Sequence, residues 1–178
     1  LNIENKKNNR IIEINQNIQQ NCGLVIANST QIHQIAMNLI TNASHAVEKT
    51  NGIIDIELKE LTLEKDNLSG SELQPGQYIR LSVSDNGIGM PQNIIQKIFE
   101  PYFTTKEQGK GTGLGLAVVY GIVKEHRGDI KVYSEVGKGT TFCIYLPLMK
   151  KTTETVSTEK KSELATGTEK ILLVDDEV

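Results

Sequence analysis

The chain has 178 residues, 38% of them hydrophobic, with 19 Lys and Arg against 22 Asp and Glu and a net charge of -3. That length suits one soluble domain with a buried core, and a near-neutral, evenly spread charge offers no electrostatic footprint for nucleic acid or an anionic membrane surface. The longest nearly apolar run, Leu114 to Val123, holds two glycines and falls well short of the roughly 18 residues of a membrane helix.

Residues 1–9 read as the end of an upstream segment: the chain opens on Leu1 and an Asn-rich stretch without a signal-peptide pattern, as a fragment of a longer protein would. Ile12, Ile14 and Ile18 at even spacing predict a strand over Arg10 to Ile18. Ile32, Ile35, Ala36, Leu39, Ile40, Ala43 and Val47 then recur at helical spacing behind the capping candidates Ser29 and Thr30. Ile54, Ile56 and Leu58 alternate with charged residues, and Tyr78 to Asp85 repeats the alternation, so both predict half-buried strands. A short helix is expected from Pro91, a favoured first-turn residue, to about Ile98, and a longer one from Leu114 to Glu125 behind a glycine cluster. Strands over Asp129 to Glu135 and Thr141 to Leu146 follow, punctuated by Gly128, Gly137 and Gly139.

Composition changes after Leu148. Residues 149–168 are Lys, Thr, Glu and Ser with isolated aliphatics, a linker composition, and 169–178 carry a charged lead, an aliphatic run and an acidic cluster that read as the first strand of another domain. One domain therefore occupies 10–148. Its strands and helices do not alternate regularly, which predicts an α+β fold: a two-layer sandwich with a mixed sheet of roughly five strands and about three helices on one face. Cys22 and Cys143 lack any C-x-x-C spacing, and the three histidines are too scattered for a zinc site, so reduced thiols in the cytoplasm are expected.

Three segments carry chemistry. On the first helix Gln34, Asn38, Asn42 and His45 form one polar stripe beside the apolar face. A polar stripe alone is usually just the solvent side, but Asn is a mediocre helix former whose neutral carbonyl can ligate a hard cation such as Mg2+. Asp85, Gly87, Ile88, Gly89 and Met90 follow a predicted strand, offering a carboxylate acceptor and two places where a ligand ring can approach the backbone. An ordinary Asn-Gly turn would lead into another strand, whereas Pro91 starts a helix. Gly111, Thr112, Gly113, Leu114, Gly115 and Leu116 run from a glycine cluster into a helix, an anion site suited to polyphosphate that fits neither the P-loop nor the Rossmann spacing. Between the last two lies Ile98 to Lys106 with Phe99, Tyr102 and Phe103, a hydrophobic anchor, and Lys106 and Lys110 flank a glycine-rich segment placed to close over phosphates.

In this order and spacing the segments resemble the ATP-binding catalytic domain of sensor histidine kinases, in the superfamily of gyrase, chaperone, histidine-kinase and mismatch-repair ATPases. The likeness runs from about residue 10 to 148. Ile32 to Ala46 resembles the N box, Asp85 to Gly89 the first glycine box, Phe99 to Lys106 the F box, Gly111 to Leu116 the second glycine box, and Gly137 to Pro147 the closing strand. Two departures stand out: His33-Gln34 replaces the frequent His-Glu, and His45 and Ala46 stand where many members carry Lys-Tyr. Phosphate affinity would then rest more on Lys106 and Lys110, with adenine packed on Ile88 and Met90.

The resemblance implies that Asp85 accepts from the adenine amino group and shares a water with Thr140, that Asn42 with Asn38 ligates Mg2+, and that Gly111 to Leu116 hold the phosphates of ATP. It implies a protein histidine kinase of the hybrid two-component kind, whose acceptor histidine lies upstream on a helical dimerisation domain. The full protein would be a homodimer, membrane-anchored or not, and Ile171 to Glu177 would open a receiver domain to which phosphate is relayed. None of His33, His45 and His126 has the acidic residue and downstream proline of an acceptor, and His126 beside Arg127-Gly128 reads as a C-cap. The rival readings are a nucleotide-binding regulatory module without phosphotransfer and a hydrolytic member of the same superfamily.

Overall fold

Alternation along the strands and helical spacing between them meet in a single core. The computed structural model describes residues 2–5, 10–47, 52–64, 73–106 and 111–149. The described strands are β1 (Asn2–Asn5), β2 (Arg10–Ile18), β3 (Gly52–Leu63), β4 (Gly76–Asp85), β5 (Asp129–Glu135) and β6 (Gly139–Pro147); the helices are α1 (Ser29–Ala46), α2 (Gln92–Ile95) and α3 (Gly115–Glu125). One sheet runs β1-β2-β3-β4-β6-β5, with β2 and β3 parallel and every other pair antiparallel. The parallel pair needs a crossover longer than a hairpin, and α1 supplies it. The five expected strands are thus joined at one edge by β1, from the stretch read as an upstream segment.

Ile12, Ile14, Ile54, Val83, Ile130, Phe142 and Ile144 project from one face of the sheet onto Ile35, Leu39 and Ala43 of α1 and Val119, Ile122 and Val123 of α3. Leu39, Ile54, Val119 and Val123 are completely buried. Truncating Leu39 or Ile54 to alanine typically costs about 2–5 kcal/mol. On the other face Arg80 and Lys59 converge on Glu57, and the bond from Arg80 holds that carboxyl below its ordinary value. No helix among the described residues is long and apolar enough to cross a membrane.

Helix ends depart from expectation in instructive ways. The cap of α1 is Asn28, whose side chain accepts from the amides of Thr30 and Gln31, so the cap lies one residue before Ser29. Pro91 caps α2 rather than occupying its first turn, and regular helix stops at Ile95 instead of reaching Ile98. His126 does cap α3, but the left-handed position after it falls on Arg127 (φ 55°) rather than Gly128, and the amides of Arg127 and Gly128 bond the carbonyls of Lys124 and Val123. That pair of bonds is a Schellman closure.

Candidate functional site

Asp85 ends β4 in phase with Val83, on the side covered by helices, and is only 8% exposed. Its Oδ1 accepts from the Gly87 amide at 2.8 Å. Burial raises the carboxyl's pKa above its ordinary value, and the amides of Gly87 and Thr140 only partly offset this. The loop after it is tied to three separate elements. Asn86 exchanges bonds with Ile53 at the start of β3, the Ile88 amide donates to the carbonyl of Ala46 in the last turn of α1, and the Gly137 amide donates to Ile88. At Gly89 (φ 63°) an added Cβ would lie 2.0 Å from the Glu135 carbonyl oxygen, so both the turn and the close approach demand glycine. Met90 packs against the core, whereas Ile88 remains largely exposed.

Ser134, unremarked in the sequence, fastens this loop. Its Oγ accepts from the Met90 amide at 2.8 Å, donates to the Gly139 carbonyl at 3.0 Å and lies 2.8 Å from Thr140 Oγ1. The sequence did carry a signal: Ile130, Val132 and Ser134 share one phase of β5, and a hydroxyl there interrupts an inward-facing aliphatic row. An open groove of about 490 Å³ passes Asp85, Gln92, Ile95, Ser134 and Thr140, yet it is lined by none of the α1 stripe. Volume alone therefore does not locate the site.

The stripe itself meets the other segments. Asn38 Nδ2 donates to the Gln34 carbonyl at 3.0 Å, and a Cβ added to Gly115 would lie 2.8 Å from Asn38 Oδ1, so that oxygen abuts the first residue of α3. Asn42 is half-buried one turn further along. In the last turn His45 Nδ1 and Lys106 Nζ are 3.0 Å apart, and partial burial lowers the lysine's pKa. Gln34 and His33 are exposed. Leu114 caps α3 with no side-chain bond to the first turn, so the amides of that turn are placed to meet an anion.

Phe99 and Phe103 pack on the core as the anchor reading expected, with Phe99 also 5.3 Å from the Tyr120 ring. Tyr102 between them is exposed and left-handed (φ 66°). Gly113 (φ 67°) seats against it so closely that a Cβ would come within 2.4 Å of the Tyr102 carbonyl carbon. Thr104 Oγ1 accepts from the Lys106 amide, Thr112 Oγ1 from that of Leu114, and Gly111 lies beside Thr104 and the Lys106 stem. Leu116 is half-buried and packs against the core. Lys110 lies outside the described residues, as do the linker from 150 and the aliphatic run at 171–174. One helix, α1, thus forms the common wall: its end touches the Asp85 loop and Lys106, and its middle touches the start of α3.

Comparison with known proteins fits this arrangement. Residues 27–150 match the family of histidine kinase-, DNA gyrase B- and HSP90-like ATPases. The chain is 43% identical over 162 residues to the sensor kinase CckA of Brucella abortus, covering 86% of this chain and 17% of that protein. It is 36% identical over 141 residues to the sensor histidine kinase ZraS of Escherichia coli K12, covering 79% and 27% respectively. The catalytic domain of histidine kinase ThkA superposes with a TM-score of 0.59 at 30% identity, over 77% of this chain and 79% of that one. Full-length ShkA in complex with AMPPNP does so with a TM-score of 0.57 at 26% identity, over 77% of this chain and 26% of that one.

The chain belongs to the histidine kinase-, DNA gyrase B- and HSP90-like ATPase family. It is an ATP-binding catalytic domain of the sensor histidine kinase type, with the mixed sheet and one-sided helices of that fold. It spans less than a third of the length of CckA or ZraS.

Proposed function

We propose that this chain is the ATP-holding part of a hybrid sensor histidine kinase, presenting the γ-phosphoryl group to a histidine on an upstream helical dimerisation domain of a homodimer. The observation that carries this reading is the convergence on α1 of the Asp85 loop, the start of α3 and Lys106. Asp85 accepts from the adenine amino group, in a pocket that Thr140 and Ser134 brace from behind. The amides around Gly111 to Leu116 and the positive end of α3 receive the phosphates, with Lys106 and Lys110 alongside. Catalysis of this kind is mainly positioning and charge neutralisation.

Among the described residues no group of three His, Cys, Asp or Glu gathers as a metal site. The donors present are the amide oxygens of Asn38 and Asn42, neutral and hard, and Mg2+ bound with a nucleotide needs only one or two protein oxygens beside the phosphates. The residues fit the ion, and Asn42 with Asn38 would hold it. Bound there, Mg2+ supplies charge neutralisation at the phosphates.

The chain's own histidines are each engaged in a contact of another kind or exposed on a helix. His126 Nδ1 bonds the Ile122 carbonyl while its Nε2 accepts from Asn28, His45 faces Lys106, and His33 is exposed on α1. These contacts support an acceptor on another domain, and the acidic cluster after the aliphatic run at 171–174 supports relay to a receiver aspartate. Incubation with radiolabelled Mg-ATP should leave this chain unlabelled while a separately supplied dimerisation domain of its own protein acquires acid-labile label, slowly because the covalent link is missing. Stable label on His33, His45 or His126 would overturn the division of labour. ATP binding with no transfer to the added domain would favour a nucleotide-binding regulatory module.

A further inference from the structure

His45 lies in the last turn of α1 and is exposed. Its Nδ1 is nevertheless 3.0 Å from Lys106 Nζ, across a sequence separation of 61 residues. An ammonium has only donors, so the contact holds when the imidazole presents its lone pair. The last turn of α1 adds the partial negative charge of its carbonyls, which favours a cation at that end. Two further contacts define the lysine: its amide donates to Thr104 Oγ1 at 3.1 Å, and a Cβ built on Gly111 would lie 3.1 Å from its Cδ.

Among the described residues no carboxylate forms an ion pair with Lys106; those pairs join Lys59 and Arg80 to Glu57, Lys124 to Asp129 and Lys138 to Glu135. A neutral acceptor orients an ammonium without neutralising it. The cation at the mouth of the site is therefore held in place with its charge still available to an anion.

We propose that His45 is a positioning residue for Lys106, seating its ammonium beside the asparagine stripe before the nucleotide arrives so that the phosphates meet an ordered cation. This rests on reading the site as the phosphate end of an ATP pocket. A long side chain loses rotamer freedom when it is immobilised, and His45 meets that cost in the free protein instead of during binding.

The test is a double-substitution cycle read by calorimetry with Mg-ATP and, separately, adenosine. His45→Ala should weaken Mg-ATP binding about three- to tenfold, the size of the ordering cost of one such side chain, and leave adenosine binding unchanged. In a Lys106→Met background the same substitution should have almost no further effect, and His45→Gln, which keeps a neutral acceptor, should recover part of the loss. Additive losses in the cycle, or an equal loss for adenosine, would overturn the inference while leaving the ATP site intact. Failure of the unsubstituted chain to bind Mg-ATP would overturn the functional reading and this inference with it.

Discussion

The two ends of the proposed nucleotide site are built differently. The Asp85 loop is held by main-chain bonds to β3, to α1 and to the β5–β6 turn, with Ser134 clamping its exit. Among the described residues, the segments from Thr104 to Lys106 and from Gly111 to Leu114 are held by hydroxyl bonds two residues away, by Gly113 seated on Tyr102, and by a side-chain contact from Lys106 to His45. Local stability follows the number and burial of such ties. The base end is consequently set by folding, while the phosphate end keeps polar groups that a ligand can complete. An adenine ring is rigid and neutral, so a preformed slot suits it; a triphosphate is long and charged, and suits donors that adjust around the cation His45 already holds.

The largest expected effect is the sharpest test of this contrast. Gly89→Ala drives a methyl into the Glu135 carbonyl at a left-handed position, so denaturant unfolding should show a loss of about 3 kcal/mol or more. Gly113→Ala has a similar φ and also meets backbone, but its neighbour Tyr102 lies on an exposed loop that can shift. Its loss should stay near 1–2 kcal/mol, with a greater proportional effect on Mg-ATP binding. Equal losses of stability would mean that the two ends are equally rigid.

Asp85→Asn separates function from stability at the base end. Replacing the acceptor with an amide should weaken ATP binding tenfold or more, since hydrogen bonds to charged groups contribute about 1.5–3 kcal/mol. The fold should not suffer. Burial raises the Asp85 pKa, so the stability associated with its protonated form is present below the unfolded value and is lost as pH rises through the folded one. At neutral pH the variant should therefore melt no lower than the wild type, and any advantage should shrink as pH falls toward the ordinary carboxylate range. A variant that melts clearly lower at neutral pH would show that the charged carboxylate braces the loop.

The smallest effect is expected at the phosphate end. Asn42→Ala should weaken Mg-ATP binding about three- to tenfold, and adenosine binding hardly at all, because its amide is assigned to the ion and not the ring. Equal losses for the two ligands would return Asn42 to a structural role on α1.

The five strands of the core and the two longer helices were legible in the sequence because each buries one face, and burial of one face imposes a period of two or of about 3.6 on the side chains. The Asp85 loop and the glycine cluster were legible because positions that need a left-handed backbone or a close approach leave glycines behind them. What periodicity does not encode is partnership between distant residues. That β6 inserts between β4 and β5, that Ser134 holds the Met90 amide, and that Asn38 Oδ1 abuts Gly115 all depend on how the elements pack. Helix ends belong to the same class: Asn28, Ser29 and Thr30 are all competent caps, and the folded structure uses Asn28. The link between His45 and Lys106 is the extreme case, since two polar residues 61 apart carry no mutual signature until the fold sets them side by side. Local sequence determined the elements and the turns between them, because those rest on short-range sterics and burial; the tertiary structure alone decided which polar groups meet, because that depends on contacts closed over long loops.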